Sequence, residues 1–225
     1  MSVSRVSPKL IVWLVSLVAI ATTTSLGAAQ GTAASRPGLQ AQVRLGRQLV
    51  ISHGCNGCHG GADPSAQGWL DGVRVPLFQE FKVGPCGTPP EAKDCFTTRA
   101  RNLTPDNATG LGRFTERQIF NAFRYGLRPE DTPDVTITST KPGQGNFPTT
   151  PHYLAPPMPW PAWRHMTDAE LFAIAAYLKH GLKPSVNKVA DSEGPPDFWA
   201  SLYTVELIGP LKMPAFPTAN ERIPR

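Results

Sequence analysis

The chain has 225 residues, with 22 lysines and arginines against 17 aspartates and glutamates, which gives a formal net charge of +5. This small basic excess is not the charge pattern of a nucleic-acid-binding protein, so we expect no nucleic acid among its partners. The length fits one domain with long loops or an appended tail, and a second full domain is not expected.

Residues 1–29 have the order of regions that is typical of a secretory signal peptide. Arg5 and Lys9 precede an apolar run from Leu10 to Ala21, and small residues follow at 27–29. An uncleaved membrane anchor facing the periplasm is the alternative, but an apolar run of about a dozen residues is short for a bilayer span. We therefore expect an exported, periplasmic protein.

A helix is predicted over residues 40–52, directly before the most informative motif of the chain. Apolar residues at Val43, Leu45, Leu49 and Val50 form an imperfect stripe at helical spacing. Gly46 interrupts the pattern, and a glycine inside a helix costs about 1 kcal/mol relative to alanine. We expect another helix backbone or an aromatic ring to lie against it.

The motif is Cys55-Asn56-Gly57-Cys58-His59, a C-x-x-C-H sequence that is read as a c-type haem attachment site. Each thiol can add to one vinyl group of the porphyrin, and the two-residue spacer lets both sulfurs reach one edge of the ring. Cys55 and Cys58 are then the thioether anchors, and His59 is the proximal iron ligand. The cofactor expected is one covalently attached haem c.

Two other uses of these cysteines compete with haem attachment. A thioredoxin-like dithiol would lie near a strand–helix–strand pattern, and half of a zinc site would need a second close pair of ligands. Neither context is visible in the sequence. The remaining cysteines, Cys86 and Cys95, are too far apart for a zinc-type pair.

Residues 60–100 are rich in glycine, proline and short polar residues, and they predict a long loop around the haem edge. Because unalkylated thiols tend to be oxidised outside the cytoplasm, Cys86 and Cys95 are expected to form a disulfide. Gly84-Pro85 is expected to supply the backbone carbonyl that accepts the second imidazole nitrogen of His59.

The next helix is predicted after Thr115, which together with Gln118 has the spacing of a capping box, and it should end near Gly126. A further helix is predicted from Asp168 to His180, opened by a cap at Thr167.

Between these helices, Met158 stands among prolines in the sequence Pro156-Pro157-Met158-Pro159-Trp160. A thioether is a soft ligand suited to haem iron, and flanking prolines can present it from an extended loop. Met158 is therefore the distal ligand we expect. Its competitors are two methionines and three histidines: Met166, Met213, His152, His165 and His180.

These segments together resemble class I c-type cytochromes, especially the cytochrome c subunits of membrane-bound alcohol and gluconate dehydrogenases. The resemblance rests on the haem motif, the segments Asn102-Leu103-Thr104-Pro105-Asp106 and Thr109-Gly110-Leu111-Gly112, the Met158-Pro159 loop and the helix opened by Thr167. Those subunits commonly carry three haem motifs, whereas this chain carries one. Phe114 also stands where that family has tryptophan.

The sequence thus predicts an all-α, cytochrome c-like haem domain with long loops over residues 39–189. A proline-rich tail at 190–225 is expected to pack its aromatic residues on that domain. We expect an electron carrier, not an enzyme, that moves single electrons from a dehydrogenase donor to a cytochrome or oxidase acceptor, and peripheral membrane association is compatible with that role. The alternative function is a peroxidase-like or gas-binding haem protein with a labile distal ligand.

Overall fold

The computed structural model describes residues 38–73, 80–84, 86, 95–194 and 197–224. The expected signal peptide at 1–29 lies outside these residues. Within the described part of the chain, no helix is long and apolar enough to cross a membrane.

The described helices are α1 (Leu39–Ser52), α2 (Asn56–His59), α3 (Glu116–Tyr125), α4 (Trp160–Trp163), α5 (Asp168–Ala176) and α6 (Val205–Ile208). Short 3-10 helices lie at Pro129–Asp131 and Phe198–Leu202. Helix α5 continues into a π-helical turn at Tyr177–Gly181, so the predicted helix ends near its expected residue but with a widened last turn.

Two short strands correct the all-α prediction. β1 (Glu80–Val83) and β2 (Phe96–Arg99) pair antiparallel, with Val83 opposite Phe96. A disulfide joins the predicted pair Cys86 and Cys95 directly beyond these strands. The region predicted as one long loop therefore contains a stapled hairpin, since the disulfide holds together two strands that are too short to be stable alone.

The close packing of α1 against α5 forms the centre of the helical layer. A side chain at Gly46 would overlap the carbonyl of Ala173 and the Cβ of Tyr177, so only glycine allows the two helices to approach this closely. The expectation that a helix backbone lies against Gly46 is confirmed. The indole of Trp69 donates a buried hydrogen bond to the Tyr177 hydroxyl at 3.0 Å, which ties the loop after α2 to this crossing.

The predicted capping box at the start of α3 and the predicted Thr167 cap at the start of α5 are also confirmed, and the α5 cap is itself a full capping box. The Thr115 hydroxyl accepts from the Gln118 amide, and the Thr167 hydroxyl accepts from the Glu170 amide, each with the reciprocal side-chain bond. These bonds satisfy amide groups that have no partner inside the helix. α3 ends at Tyr125 and is followed by the capping residue Gly126, whose φ of 70° lies in the left-handed region.

The tail after residue 190 contacts the domain through aromatic side chains. Trp199 is fully buried and packs against Phe96 of β2, with ring centroids 4.9 Å apart. Tyr203 lies against Trp160 at 4.9 Å and donates a hydrogen bond to the carbonyl of Leu154 at 3.2 Å. The tail thus covers the hairpin on one side and the segment around Trp160 on the other.

Candidate haem site

The two thiols of the C-x-x-C-H motif lie on a single helical turn. α1 ends at Ser52, and Gly54, with a φ of 64°, turns the chain into α2. The amides of Cys58 and His59 both donate to the carbonyl of Cys55, at 3.3 and 2.9 Å. Residues three apart on such a turn project to the same side, so both sulfurs can reach one edge of a planar group.

Both thiols are free in the structure, and their surroundings differ from those of a redox dithiol. Burial raises the pKa of Cys55 to about 11 and also raises the pKa of Cys58. Catalytic dithiols work through a lowered thiol pKa, so these thiols do not fit a thioredoxin-like role.

A zinc site also lacks its ligands here. The residues that the structure describes contain no group of three or more His, Cys, Asp or Glu side chains placed to hold a metal ion. Cys86 and Cys95 are joined by a disulfide, so they have no thiolate to offer a metal ion. Tetrahedral zinc needs four ligands, or three with an open position.

The imidazole of His59 is oriented by a backbone carbonyl. Its Nδ1 lies 2.7 Å from the carbonyl oxygen of Arg101, and since a carbonyl can only accept, Nδ1 carries the proton and Nε2 keeps its lone pair. Burial lowers the pKa of His59, while the bond to Arg101 raises it. The neutral ring with a free Nε2 is the form that ligates iron.

This geometry corrects the prediction that Gly84-Pro85 supplies that carbonyl. Arg101 lies two residues after the end of β2, so the strand pair places its carbonyl next to the imidazole. Pro85 itself lies outside the described residues. No sequence pattern points to Arg101, because a backbone acceptor can come from any residue type.

Backbone hydrogen bonds hold the two sides of this contact together. The amide of Gly72 donates to the carbonyl of His59 at 2.8 Å, and the amide of Val73 donates to that of Ala100 at 3.1 Å. Residues 72 and 73 therefore bridge the haem motif and the segment that carries Arg101.

A buried polar network fixes the next residues. Asn102, only 1% exposed, donates to the Thr109 hydroxyl and to the carbonyl of Ser185, and it accepts from the amide and hydroxyl of Thr104. Ser185 in turn donates to the carboxylate of Asp71 at 2.8 Å. The Asn102–Asp106 segment, on which part of the resemblance rests, is thus held in place by buried hydrogen bonds directly after Arg101, the residue that binds His59.

Met158 lies in a tight turn at the edge of the main apolar cluster. Its amide donates to Ala155 at 2.9 Å, and its carbonyl accepts from Trp160 at 2.8 Å. The side chain is half-buried and packs against the same cluster that contains Cys55.

Aromatic packing anchors the Met158 turn. Trp160, 2% exposed, covers Gly126 so closely that any side chain at Gly126 would overlap the indole ring. The ring of Tyr153 stacks on Trp160 at a centroid distance of 6.2 Å. The amide of Leu154 donates to the carbonyl of Gly126 at 2.7 Å. The turn is therefore tied on both sides to the end of α3.

The competing ligands occupy other surroundings. The ring of His180 lies 2.7 Å from Glu116, that of His152 lies 3.3 Å from Asp197, and that of His165 lies 3.2 Å from the carbonyl of Leu211. Met213 is 51% exposed. Met166 is the competitor that borders the same apolar cluster as Met158.

The donor set fits a covalently attached haem. Two free thiols share one helical turn, and the neutral imidazole that follows them has its Nε2 lone pair available. Apolar and aromatic side chains surround them, among them Leu70, Leu111 and Phe114.

The chain is similar to cytochrome c subunits of two kinds of dehydrogenase. It is 31% identical over 101 residues to the cytochrome c subunit of alcohol dehydrogenase (quinone) from Gluconacetobacter polyoxogenes. The aligned residues cover 45% of this chain and 16% of that subunit. The chain is also 27% identical over 158 residues to the cytochrome c subunit of gluconate 2-dehydrogenase from Pantoea cypripedii. The aligned residues cover 69% of this chain and 26% of that subunit.

A third similarity, to the alcohol dehydrogenase (quinone) cytochrome c subunit of Gluconobacter oxydans, is 23% identity over 167 residues, or 73% of this chain and 27% of that subunit. The chain thus spans about a quarter or less of the length of these relatives. No protein-family model matches it. These similarities confirm the predicted resemblance to cytochrome c subunits of alcohol and gluconate dehydrogenases.

Proposed function

We propose that this chain is an exported class I c-type cytochrome that carries one haem and transfers single electrons between redox proteins. The observation that carries the proposal is the helical turn Cys55–His59, on which two free thiols precede an imidazole whose Nδ1 is bound to Arg101. Such an imidazole is oriented and made more basic for a metal at Nε2.

A single haem is supported by the cysteine count. The sequence contains four cysteines, and a disulfide joins two of them. Cys55 and Cys58 are then the pair available for thioether bonds, which is enough for one porphyrin.

His59 and Met158 are the proposed axial ligands. When bound between them, the haem supplies one-electron chemistry at its iron, and methionine ligation raises its potential relative to a second histidine. The aromatic anchor at Trp160 and Gly126 would hold the Met158 sulfur in place, so that the sixth position stays filled. A filled sixth position favours electron transfer over catalysis at the iron.

Export to the periplasm is supported by two features of the chain. The sequence at 1–29 has the regions of a signal peptide, and a disulfide is typical of an oxidising compartment. Haem thioethers are also made outside the cytoplasm.

The electron donor that we propose is a dehydrogenase, and the acceptor is a cytochrome or an oxidase. The support is the similarity to proteins named as cytochrome c subunits of dehydrogenases. Peripheral attachment to a membrane through such a complex belongs to the same proposal.

The proposal is tested by the absorption spectrum and redox titration of the protein exported from a host that matures c-type cytochromes. We expect a one-electron couple, with haem that stays on the protein through acid-acetone extraction. Haem that extracts freely, or bound zinc in its place, would contradict the proposal. A ferric form that binds peroxide or a ferrous form that binds carbon monoxide without mutation would favour the peroxidase-like or gas-binding alternative.

A further inference from the structure

We propose that residues 189–194, where the domain passes into the tail, are clamped to the segment that contains strand β2, and that this clamp positions the Arg101 carbonyl on His59 and thereby sets the reduction potential of the haem. This inference rests on the proposed function, because it concerns the iron ligand. The clamp consists of segment 189–194 and the two arginines that grip it, Arg99 and Arg101.

The clamp adds a third chain segment to the hairpin. Thr97 and Glu193 exchange two backbone hydrogen bonds, at 2.8 and 2.9 Å. Arg99, whose side chain is 13% exposed, donates to the Asp191 carbonyl and to the Glu193 carboxylate. One guanidinium therefore holds segment 189–194 at two points, a backbone carbonyl and a carboxylate, although the Glu193 side chain itself is 71% exposed.

Arg101 connects the clamp to the iron ligand directly. Its guanidinium donates to the carbonyls of Val189 and Ala190 at 3.3 and 3.2 Å and to the Ser192 hydroxyl at 3.4 Å. Its own carbonyl accepts from His59. Because one residue makes both sets of contacts, a displacement of the tail would be passed to the imidazole.

Two glycines make the close approach of the tail possible. Gly194 has a φ of 101°, and any side chain there would overlap the carbonyl oxygen of Cys95. Gly72 has a φ of 92°, and a Cβ there would lie 2.7 Å from Val189 and 2.8 Å from the amide of Asn102. Segment 189–194 therefore packs against the start of β2 through Gly194 and against Gly72 through Val189.

The chemical consequence follows from the donor strength of the imidazole. A hydrogen bond from Nδ1 makes the ring a stronger electron donor, which stabilises ferric iron and lowers the potential. Loosening the clamp should lengthen the hydrogen bond between His59 and the Arg101 carbonyl and so weaken the imidazole as an electron donor. We therefore expect the reduction potential of the haem to rise.

The test compares two glycines of the tail in haem-loaded protein. Gly194→Ala would push the tail away from Cys95. Gly209→Ala is the matched control, because Gly209 also has a positive φ, 76°, but no atom lies within 4 Å of its added Cβ. We expect Gly194→Ala to raise the ferrous-to-ferric ratio at least threefold at fixed ambient potential, which is about 28 mV at about 59 mV per tenfold for one electron. Gly209→Ala should leave it unchanged.

A second variant keeps the test decisive if Gly194→Ala does not fold. Arg101→Lys preserves the positive charge of the side chain but removes the guanidinium fork, so it should also raise the potential and speed the exchange of the His59 ring proton in NMR spectra. Unchanged potentials and ring-proton exchange in haem-loaded Arg101→Lys, or an equal shift in Gly209→Ala, would overturn the clamp. Absence of covalent haem from the wild-type protein would instead overturn the proposed function.

Discussion

The two sides of the proposed iron site are held by different physical means. On the His59 side, backbone and side-chain hydrogen bonds fix the chain, from the Arg101 carbonyl to the buried Asn102 network. On the Met158 side, aromatic rings pack around Trp160 and against Gly126. A hydrogen bond fixes the orientation of the groups it joins, whereas close packing keeps a side chain in place and excludes water. The His59 side is thus suited to adjusting the donor strength of its ligand, and the Met158 side to keeping its ligand in place.

The largest effect is expected on the Met158 side. Met158→Ala should abolish the weak near-infrared sulfur-to-iron band of the ferric protein, lower the potential and open the iron to carbon monoxide, because the distal ligand is lost. Met166→Ala and Met213→Ala are the controls and should leave all three observables nearly unchanged. If the Met158→Ala protein keeps the band, Met158 is not the ligand.

The packing that retains Met158 can be tested with a second pair of glycines. Gly126→Ala should destabilise the protein by about 3 kcal/mol, since it combines a left-handed residue with a clash against Trp160. Gly143→Ala has a similar φ of 73° with room for a methyl group, and should cost about 1 kcal/mol. Urea unfolding of the haem-loaded proteins measures both. Equal losses in the two variants would mean that the Trp160 contact contributes nothing.

A smaller effect is expected from the polar side. Asn102→Ala removes a side chain with four hydrogen bonds and leaves buried partners unsatisfied, so it should cost about 2 kcal/mol in urea unfolding. The near-infrared band should persist, because the Met158 side is untouched. Asn107→Ala, at an exposed position of the same segment, should change stability by less than about 0.5 kcal/mol. Loss of the band in Asn102→Ala would contradict the separation of the two sides.

The smallest effect concerns the thiols of the haem-free protein. Burial raises the pKa of Cys55 to about 11, and Cys55 is the more buried of the pair. Since only the thiolate reacts, iodoacetamide should modify Cys58 faster than Cys55 at pH 8, and the Cys55 rate should keep rising with pH until about pH 11. A Cys55 rate that levels off near pH 9 would show that the thiol is not buried as described.

Much of the helical layer could be predicted from the sequence because its signals are local. Thr115 and Thr167 mark helix starts by their spacing to Gln118 and Glu170, and the structure contains both capping boxes. Gly46 predicted a close helix contact because an interior glycine costs stability unless packing requires it.

The His59 side could not be predicted in the same way because it depends on contacts distant in sequence. The acceptor for His59 is a backbone atom 42 residues away, and no side-chain pattern reveals it. The strands β1 and β2 are four residues each and carry no clear alternation, so composition alone indicated a loop. The grip of Arg101 on Ser192 spans 91 residues.

Covalent attachment of one haem to Cys55 and Cys58 underlies the proposed function. Its most direct measurement is the mass of the proteolytic peptide containing residues 55–59, taken from protein exported by a host with a cytochrome maturation system. We expect this peptide to carry the mass of one haem through two thioether bonds, and a separate disulfide-linked peptide to contain Cys86 and Cys95. Two unmodified thiols in the 55–59 peptide from that host would show that these cysteines do not bind haem covalently.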